Sequence, residues 1–337
     1  MEKLRIFWRR LTHASFKRMH TQITAVHKET KLPRIVIFFD MLWCSVRYGV
    51  GYLDYHVFGF AKKPREQRLT YMTMKHSEQL VRKLNDRDYY YVFDDKLTFD
   101  ERFSAFLGRK FLNLHDASVE DLKNFCAQQT AVFAKVPDKC GGEGIQRITI
   151  SEDLDYEALY KELEEKGQFL IEEAITQHPE MDRLCPTSIN TVRIVTVLDG
   201  DEAKFIYALV RMGSGTGCVD NISSGGMYTG VDENGLLSRP AFCDKTGLYY
   251  DEHPLTHTVF NGFQIPFFDE AKKMCCRAAL VEPHMRYVGW DVAITPDGPV
   301  FVEGNNIPCY DMVQNSRHRD EGILPLFREK LGEDIFD

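Results

Sequence analysis

Apolar and polar positions change period several times along the 337 residues, and the changes divide the chain. Up to about Lys31 the period is helical, with Leu4, Phe7, Trp8 and Leu11 at i, i+3, i+4 and i+7. From Ile35 to Asn85 the pattern stays helical and rich in aromatics (Phe38, Phe39, Trp43, Tyr48, Tyr52, Tyr55, Phe58, Phe60), which read as core, and a charged amphipathic helix is predicted over 65–84. Past Asp86-Arg87-Asp88 the pattern predicts a short strand over 89–93, a helix over 99–107 and an extended piece over 108–114. A helix over 119–128 follows, opened by Ser118 with Glu120 and Asp121 in its first turn.

Strand patterning then takes over. Ala131 to Val136 is a β-type run that leads through Pro137-Asp138-Lys139-Cys140-Gly141-Gly142-Glu143-Gly144 into a strand over 145–150. An acidic helix over 151–167 (Leu154, Leu159, Leu163 apolar) precedes a strand at 168–171, which ends in Glu172-Glu173-Ala174-Ile175. Two β-branched strands, 190–198 and 204–212, carry Arg193 and Arg211 in apolar surroundings. A second glycine-bearing loop covers Asp220 to Gly226, a strand covers 227–231, and a helix over 268–280 leads into the last hairpin.

That hairpin, Val288 to Pro308, is the stretch around which the rest is organised. Its turn, Thr295-Pro296-Asp297-Gly298-Pro299, is built of turn formers. Folding brings Asp291 to the end where Glu303 and Asn305 lie, and period-two alternation puts the latter two on one face. Two carboxylates and an amide oxygen make a hard donor set suited to Mg²⁺. The flanks (Val288, Val292, Ile294, Val300, Phe301, Val302) are apolar, so these acids are predicted to be buried and to need a counter-charge. The glycine loop is the second informative stretch. Three glycines in four positions let backbone N–H groups turn toward an anion, and Lys135, inside an apolar strand, demands an anionic partner nearby. The loop runs from strand to strand, which fits neither a P-loop nor a Rossmann turn.

Composition narrows the function. The net charge of −8 argues against a nucleic-acid binder. Nine cysteines without C-x-x-C or Cys/His spacing point to neither disulfides nor zinc, and charges interrupt the N-terminus where a signal peptide would be apolar, so a cytoplasmic location is expected. The basic N-terminal segment reads first as a helix packed on its own domain; weak association with a membrane surface is the alternative.

In order, these pieces resemble the ATP-grasp superfamily of carboxylate–amine ligases, and in particular the sugar-transfer-associated branch found with capsular and surface-polysaccharide genes. The matching text is DDKLTFDERF, FAKVPDKCGGEGI, FLIEEAITQHPEM, NTVRIVTV, VRMGSGTGCVDNISSGG and GWDVAITPDGPVFVEGNNIP, together roughly residues 90 to 315. The resemblance implies an α+β ATP-grasp fold, in which two α+β subdomains clasp ATP, preceded by a helical, aromatic-rich N-terminal domain. It implies domains at 1–93 (mostly helical), 94–175 (central and lid) and 176–337 (metal-binding). Lys96 and Lys135 would then contact the nucleotide, Gly141, Gly142 and Gly144 would form the lid, and Glu172, Glu173, Ala174 and Ile175 the adenine hinge, with Glu180 near the ribose. Asp291, Glu303 and Asn305 would hold Mg²⁺, taken as two ions with Mn²⁺ as a substitute, and Arg193 and Arg211 would be catalytic, stabilising an acyl phosphate. The partners implied are small-molecule carboxylate and amine substrates, an amino acid or a sugar. The lid departs from the family at Asp138, Lys139 and Cys140, where small residues are usual. A phosphotransferase and a non-catalytic nucleotide-binding scaffold are the competing readings. Substrate-side guesses fall on His257, Tyr310, the Asn221–Gly226 loop and the segment 253–266.

Overall fold

A computed structural model describes residues 16–139, 141–215 and 225–336. The Leu4–Leu11 stripe, Cys140 and most of the Asp220–Gly226 loop lie outside the described residues. Packing divides the chain into two compact units: one takes the chain up to Lys83 and from Cys309 onward, the other spans Leu84–Pro308. These divisions fall at other positions than the expected cuts at 93/94 and 175/176, and the stretch after Pro308 goes with the helical unit.

The first unit is helical, as the 3.6-residue period requires. Pro33 sets the entry to the helix Arg34–Tyr48, and Gly49, at φ 74°, ends it with its N–H on the Ser45 carbonyl at 3.1 Å. Ile37, Met41 and Cys44 line its buried face. The core is aromatic: Phe58 lies 4.9 Å from Tyr71 and 5.8 Å from Phe60, ring centre to ring centre. Not every aromatic expected in the core is there, however. Phe39 and Trp43 are exposed, because they sit on the side of their helix opposite Ile37 and Met41.

The second unit holds two antiparallel sheets. Strands β1 (Phe111–Asn113), β2 (Ala131–Lys135), β3 (Ile145–Thr149) and β4 (Leu170–Glu173) make the smaller one, in the order β1-β4-β2-β3. Helices Val119–Cys126 and Tyr156–Lys166 cover it through Leu122, Cys126, Leu159 and Leu163. The predicted start at Ser118 is a full capping box with Asp121. The larger sheet contains nine strands among the described residues. The site is carried by β5 (Val192–Asp199), β6 (Glu202–Met212), β12 (Tyr287–Thr295) and β13 (Gly298–Asn305), the last at one edge, while β7 (Met227–Val231) pairs with β6, and β8 (Leu236–Leu237), β9 (Ala241–Cys243), β10 (Leu248–Tyr250) and β11 (Phe263–Gln264) lie beyond it. One face of this sheet joins the helix Phe268–Ala279 in a core of Val192, Ile194, Ala208, Trp290, Val292 and Phe301. Residues 89–93, expected as a strand, instead form a 3-10 turn and the short helix Tyr91–Asp94, with Val92 and Phe93 turned into this core. A short apolar run without alternation does not distinguish the two.

One irregularity matters for the site. In β12–β13, Asp291 pairs with Glu303 but Val292 pairs with Phe301, so Val302 is an extra residue, a β-bulge. Phe301 therefore shares the core face with Val292, while Glu303 shares the opposite face with Asp291.

Candidate active site

Register places the hairpin acids beside both arginines. Asp291 is opposite Glu303 on one side and Arg193 on the other, and Arg211 follows Val210 on β6. Asp291 is fully buried. Its carboxylate accepts from Arg193 Nε and Nη2, the latter at 2.9 Å, and from Arg211 Nη2 at 2.7 Å. Thr191 Oγ1 fixes the second arginine by accepting from its Nε at 3.1 Å and its Nη2 at 2.9 Å. Burial alone would raise the Asp291 carboxyl, but the two guanidinium groups outweigh it and hold the group well below the usual carboxylate range. Glu303 goes the other way, raised by burial and then by the neighbouring Asp291 charge. Asn305 completes the row, its amide near the Gly289 carbonyl at 3.4 Å.

This donor set fits a hard divalent cation. A carboxylate has about four lone-pair positions, and three on Asp291 are occupied by arginine N–H groups. Its remaining hydrogen bond is to the Glu303 carboxyl. Two facing carboxyls, the Glu303 one pushed up beside the Asp291 charge, with an amide oxygen alongside, are a place where Mg²⁺ would relieve the repulsion between them. The counter-charge demanded by the buried acids comes, in the protein itself, from Arg193 and Arg211.

A second buried charge cluster lies in the smaller sheet. Lys135 Nζ pairs with the Glu172 carboxylate, which also accepts from Arg109 Nε at 3.1 Å. The anion that Lys135 requires is thus supplied by Glu172, where the sequence pointed to a bound phosphate. Arg109 also donates to the Phe301 carbonyl and lies 3.9 Å from Asp100. Neither Arg109 nor Asp100 is singled out by sequence pattern. Burial would raise Glu172, but Arg109 and then Lys135 keep it low. Asp100 is raised by burial and by the Glu172 charge, and its Oδ2 has no partner. The native state thus retains a proton on Asp100 that the unfolded chain gives up above the ordinary carboxylate range. Wild-type stability is accordingly expected to fall as pH rises from that range through the raised value. Asp100→Asn, which mimics the protonated acid, should match the wild type at acidic pH, exceed it at neutral pH and flatten that slope in urea unfolding followed against pH.

The glycine loop behaves as a turn that only glycine can make. Gly141, Gly142 and Gly144 have φ of 70°, 80° and 74°. A Cβ on Gly144 would lie 2.6 Å from Val136 Cγ2, while its carbonyl accepts from Val136 N at 3.2 Å. Gly144→Ala is expected to destabilise this hairpin by about 1–3 kcal/mol, seen as faster amide exchange over 136–146 with the larger sheet unaffected. Lys96 sits over the loop base, its N–H on the Pro137 carbonyl at 3.0 Å and its Nζ on the Pro137 and Lys139 carbonyls. Asp95 caps its helix by accepting from Thr98 N at 2.8 Å.

The other candidates are more dispersed. Glu173 turns back to accept from Lys110 N and Gln129 Nε2, both at 2.8 Å, and Ala174 and Ile175 follow half-buried. Glu180, in the short helix Pro179–Asp182, is exposed and paired with Arg183 at 2.6 Å. His257 is a surface residue paired with Glu252, and Tyr310 belongs to the helical unit, where its hydroxyl donates to Asp54 at 3.4 Å.

The sequence matches the family described as sugar-transfer associated ATP-grasp over residues 75–326, and the chain belongs to that family. Its α+β fold, with a helical, aromatic-rich N-terminal region, is the one expected of it. No curated protein matches the chain. Among solved structures it is similar to D-cycloserine synthetase DcsG (14% identity, TM-score 0.45, covering 75% of this chain and 73% of that chain). It is also similar to D-alanyl-alanine synthetase A from Vibrio cholerae (11%, 0.40, 73% and 66%) and to the ATP-grasp ligase PsnB in complex with a precursor variant, Mg and ADP (18%, 0.36, 67% and 53%).

Proposed function

We propose that the protein is an ATP-dependent ligase that activates a carboxylate as an acyl phosphate and passes it to an amine, in the modification of a surface sugar or an amino acid. The observation that carries this reading is the Arg109 bridge. It ties Glu172, the first residue of the proposed adenine hinge, to the Phe301 carbonyl two residues before Glu303. The proposed nucleotide-side and metal-side residues therefore belong to one packed assembly.

In this reading Lys96 and Lys135 face the phosphates, the Gly141–Gly144 loop closes over them, and Glu172 to Ile175 present backbone groups to the base, with Glu180 toward the ribose. Asp291, Glu303 and Asn305 would hold Mg²⁺, which when bound supplies charge neutralisation on the phosphate oxygens. Arg193 and Arg211 stand on the same sheet face, so their guanidinium groups can orient the carboxylate being activated. Loop closure excludes water from an intermediate that water would otherwise hydrolyse.

A panel of amino acids and uronic acids, each paired with candidate amines, tests the reading by phosphate release. Release of ADP and phosphate with an amide product supports it. A phosphorylated product would make the protein a phosphotransferase, and nucleotide binding without turnover a scaffold. Glu303→Gln should lower turnover by about 100-fold or more while leaving the unfolding midpoint unchanged. The substitution keeps the shape of the side chain, and the arginine charges nearby are already held by Asp291.

A further inference from the structure

The helix Arg34–Tyr48 carries apolar side chains on two opposite faces. Ile37, Met41 and Cys44 point inward. Ile35, Val36, Phe39, Trp43 and Val46 point outward and are 61%, 49%, 62%, 59% and 57% exposed. At about 100° per residue the outer five fall in one arc of about 100°, opposite the buried three. Exposed hydrophobics scattered singly are ordinary; five on one face, running the length of a 15-residue helix, form a patch.

The charge around the patch identifies what covers it. Residues 28–47 hold four Lys and Arg against two acids, Glu29 and Asp40, in a chain whose net charge is −8. Arg34 and Arg47 bracket the stripe and are exposed, and Lys28 and Lys31 are exposed just before it. The single acid of the helix, Asp40, is neutralised by Arg68 through two bonds of 2.8 Å and accepts from Tyr55 at 2.6 Å. A second copy of the chain would set this cationic rim against itself. An anionic bilayer offers the complement to both parts: an acyl boundary for Phe39 and Trp43, and headgroups for the arginines.

We propose that this outer face docks the protein on an anionic membrane surface, with the helix lying in the interface plane. Among the described residues no helix is long and apolar enough to cross a membrane, so this contact is peripheral. It stands independently of the nucleotide site, and it places lipid contact on the helix Arg34–Tyr48, whereas the sequence offered it only as the alternative reading of the basic N-terminal segment.

Co-sedimentation of the full chain with phosphatidylcholine vesicles, with and without phosphatidylglycerol, tests it. Binding should require phosphatidylglycerol and weaken as salt rises. Phe39→Gln combined with Trp43→Gln should lower vesicle partition by about tenfold or more, with unchanged thermal unfolding because both positions are exposed. Leu248→Gln, at a 56% exposed site elsewhere, should bind as wild type does. Three results would overturn the proposal: no binding by the wild type, undiminished binding by the double variant, or a wild-type dimer that the double variant dissolves without any vesicle binding.

Discussion

Replacing Asp291 with Asn is expected to cost about 3–5 kcal/mol of stability, with the measured value toward the lower end of that span. The substitution preserves shape but leaves Arg193 and Arg211 buried beside a neutral amide. Glu303, whose carboxyl is pushed up by burial and by the Asp291 charge, should then ionise more readily and return part of the missing countercharge. Urea unfolding should therefore show a lowered midpoint with an unchanged slope, and the double variant Asp291→Asn/Glu303→Gln should fall further than the sum of the singles. Additive effects would mean that the two carboxyls do not communicate.

Arg109→Met is expected to be comparably damaging, about 3–5 kcal/mol at neutral pH. The guanidinium is buried and serves Glu172, Asp100 and the Phe301 carbonyl together; methionine fills much of its volume and satisfies none of them. Glu172 would lose one of the two cations it pairs with and keep Lys135. Its carboxyl is depressed in the native state, so its contribution is present above the ordinary carboxylate range and lost as pH falls through the depressed value. The deficit of the variant should accordingly narrow on acidification, measured as the difference in urea midpoints between neutral and acidic pH. A deficit independent of pH would point to lost packing instead.

Much of this is legible in the amino-acid sequence. The hairpin announced itself through turn formers between apolar strands, and alternation correctly put Glu303 and Asn305 on one face. The buried acids and Lys135 each called for an opposite charge, and each has one. Which charge was not readable: within the protein Lys135 pairs with Glu172, and a strand pattern shows that a lysine is buried without showing its cross-strand neighbour. Arg109 escaped notice for the same reason. Its partners lie 63 and 192 residues further on, and no local period encodes a contact of that range. The helix Arg34–Tyr48 misled in the opposite sense, since apolar residues on both faces look like core until the packing shows that only one face is covered.

The additional residue at Val302 has a consequence for how this chain can vary. It acts as a parity switch, sending two odd-numbered neighbours, Phe301 and Glu303, to opposite sides of the sheet. Removing one residue there would force either the aromatic ring into the charged row or the carboxylate into the oily side, whereas trimming the turn at Thr295–Gly298 merely shortens a loop. Insertions and deletions in homologous chains should therefore collect at the tip of the hairpin and be missing from its last five residues.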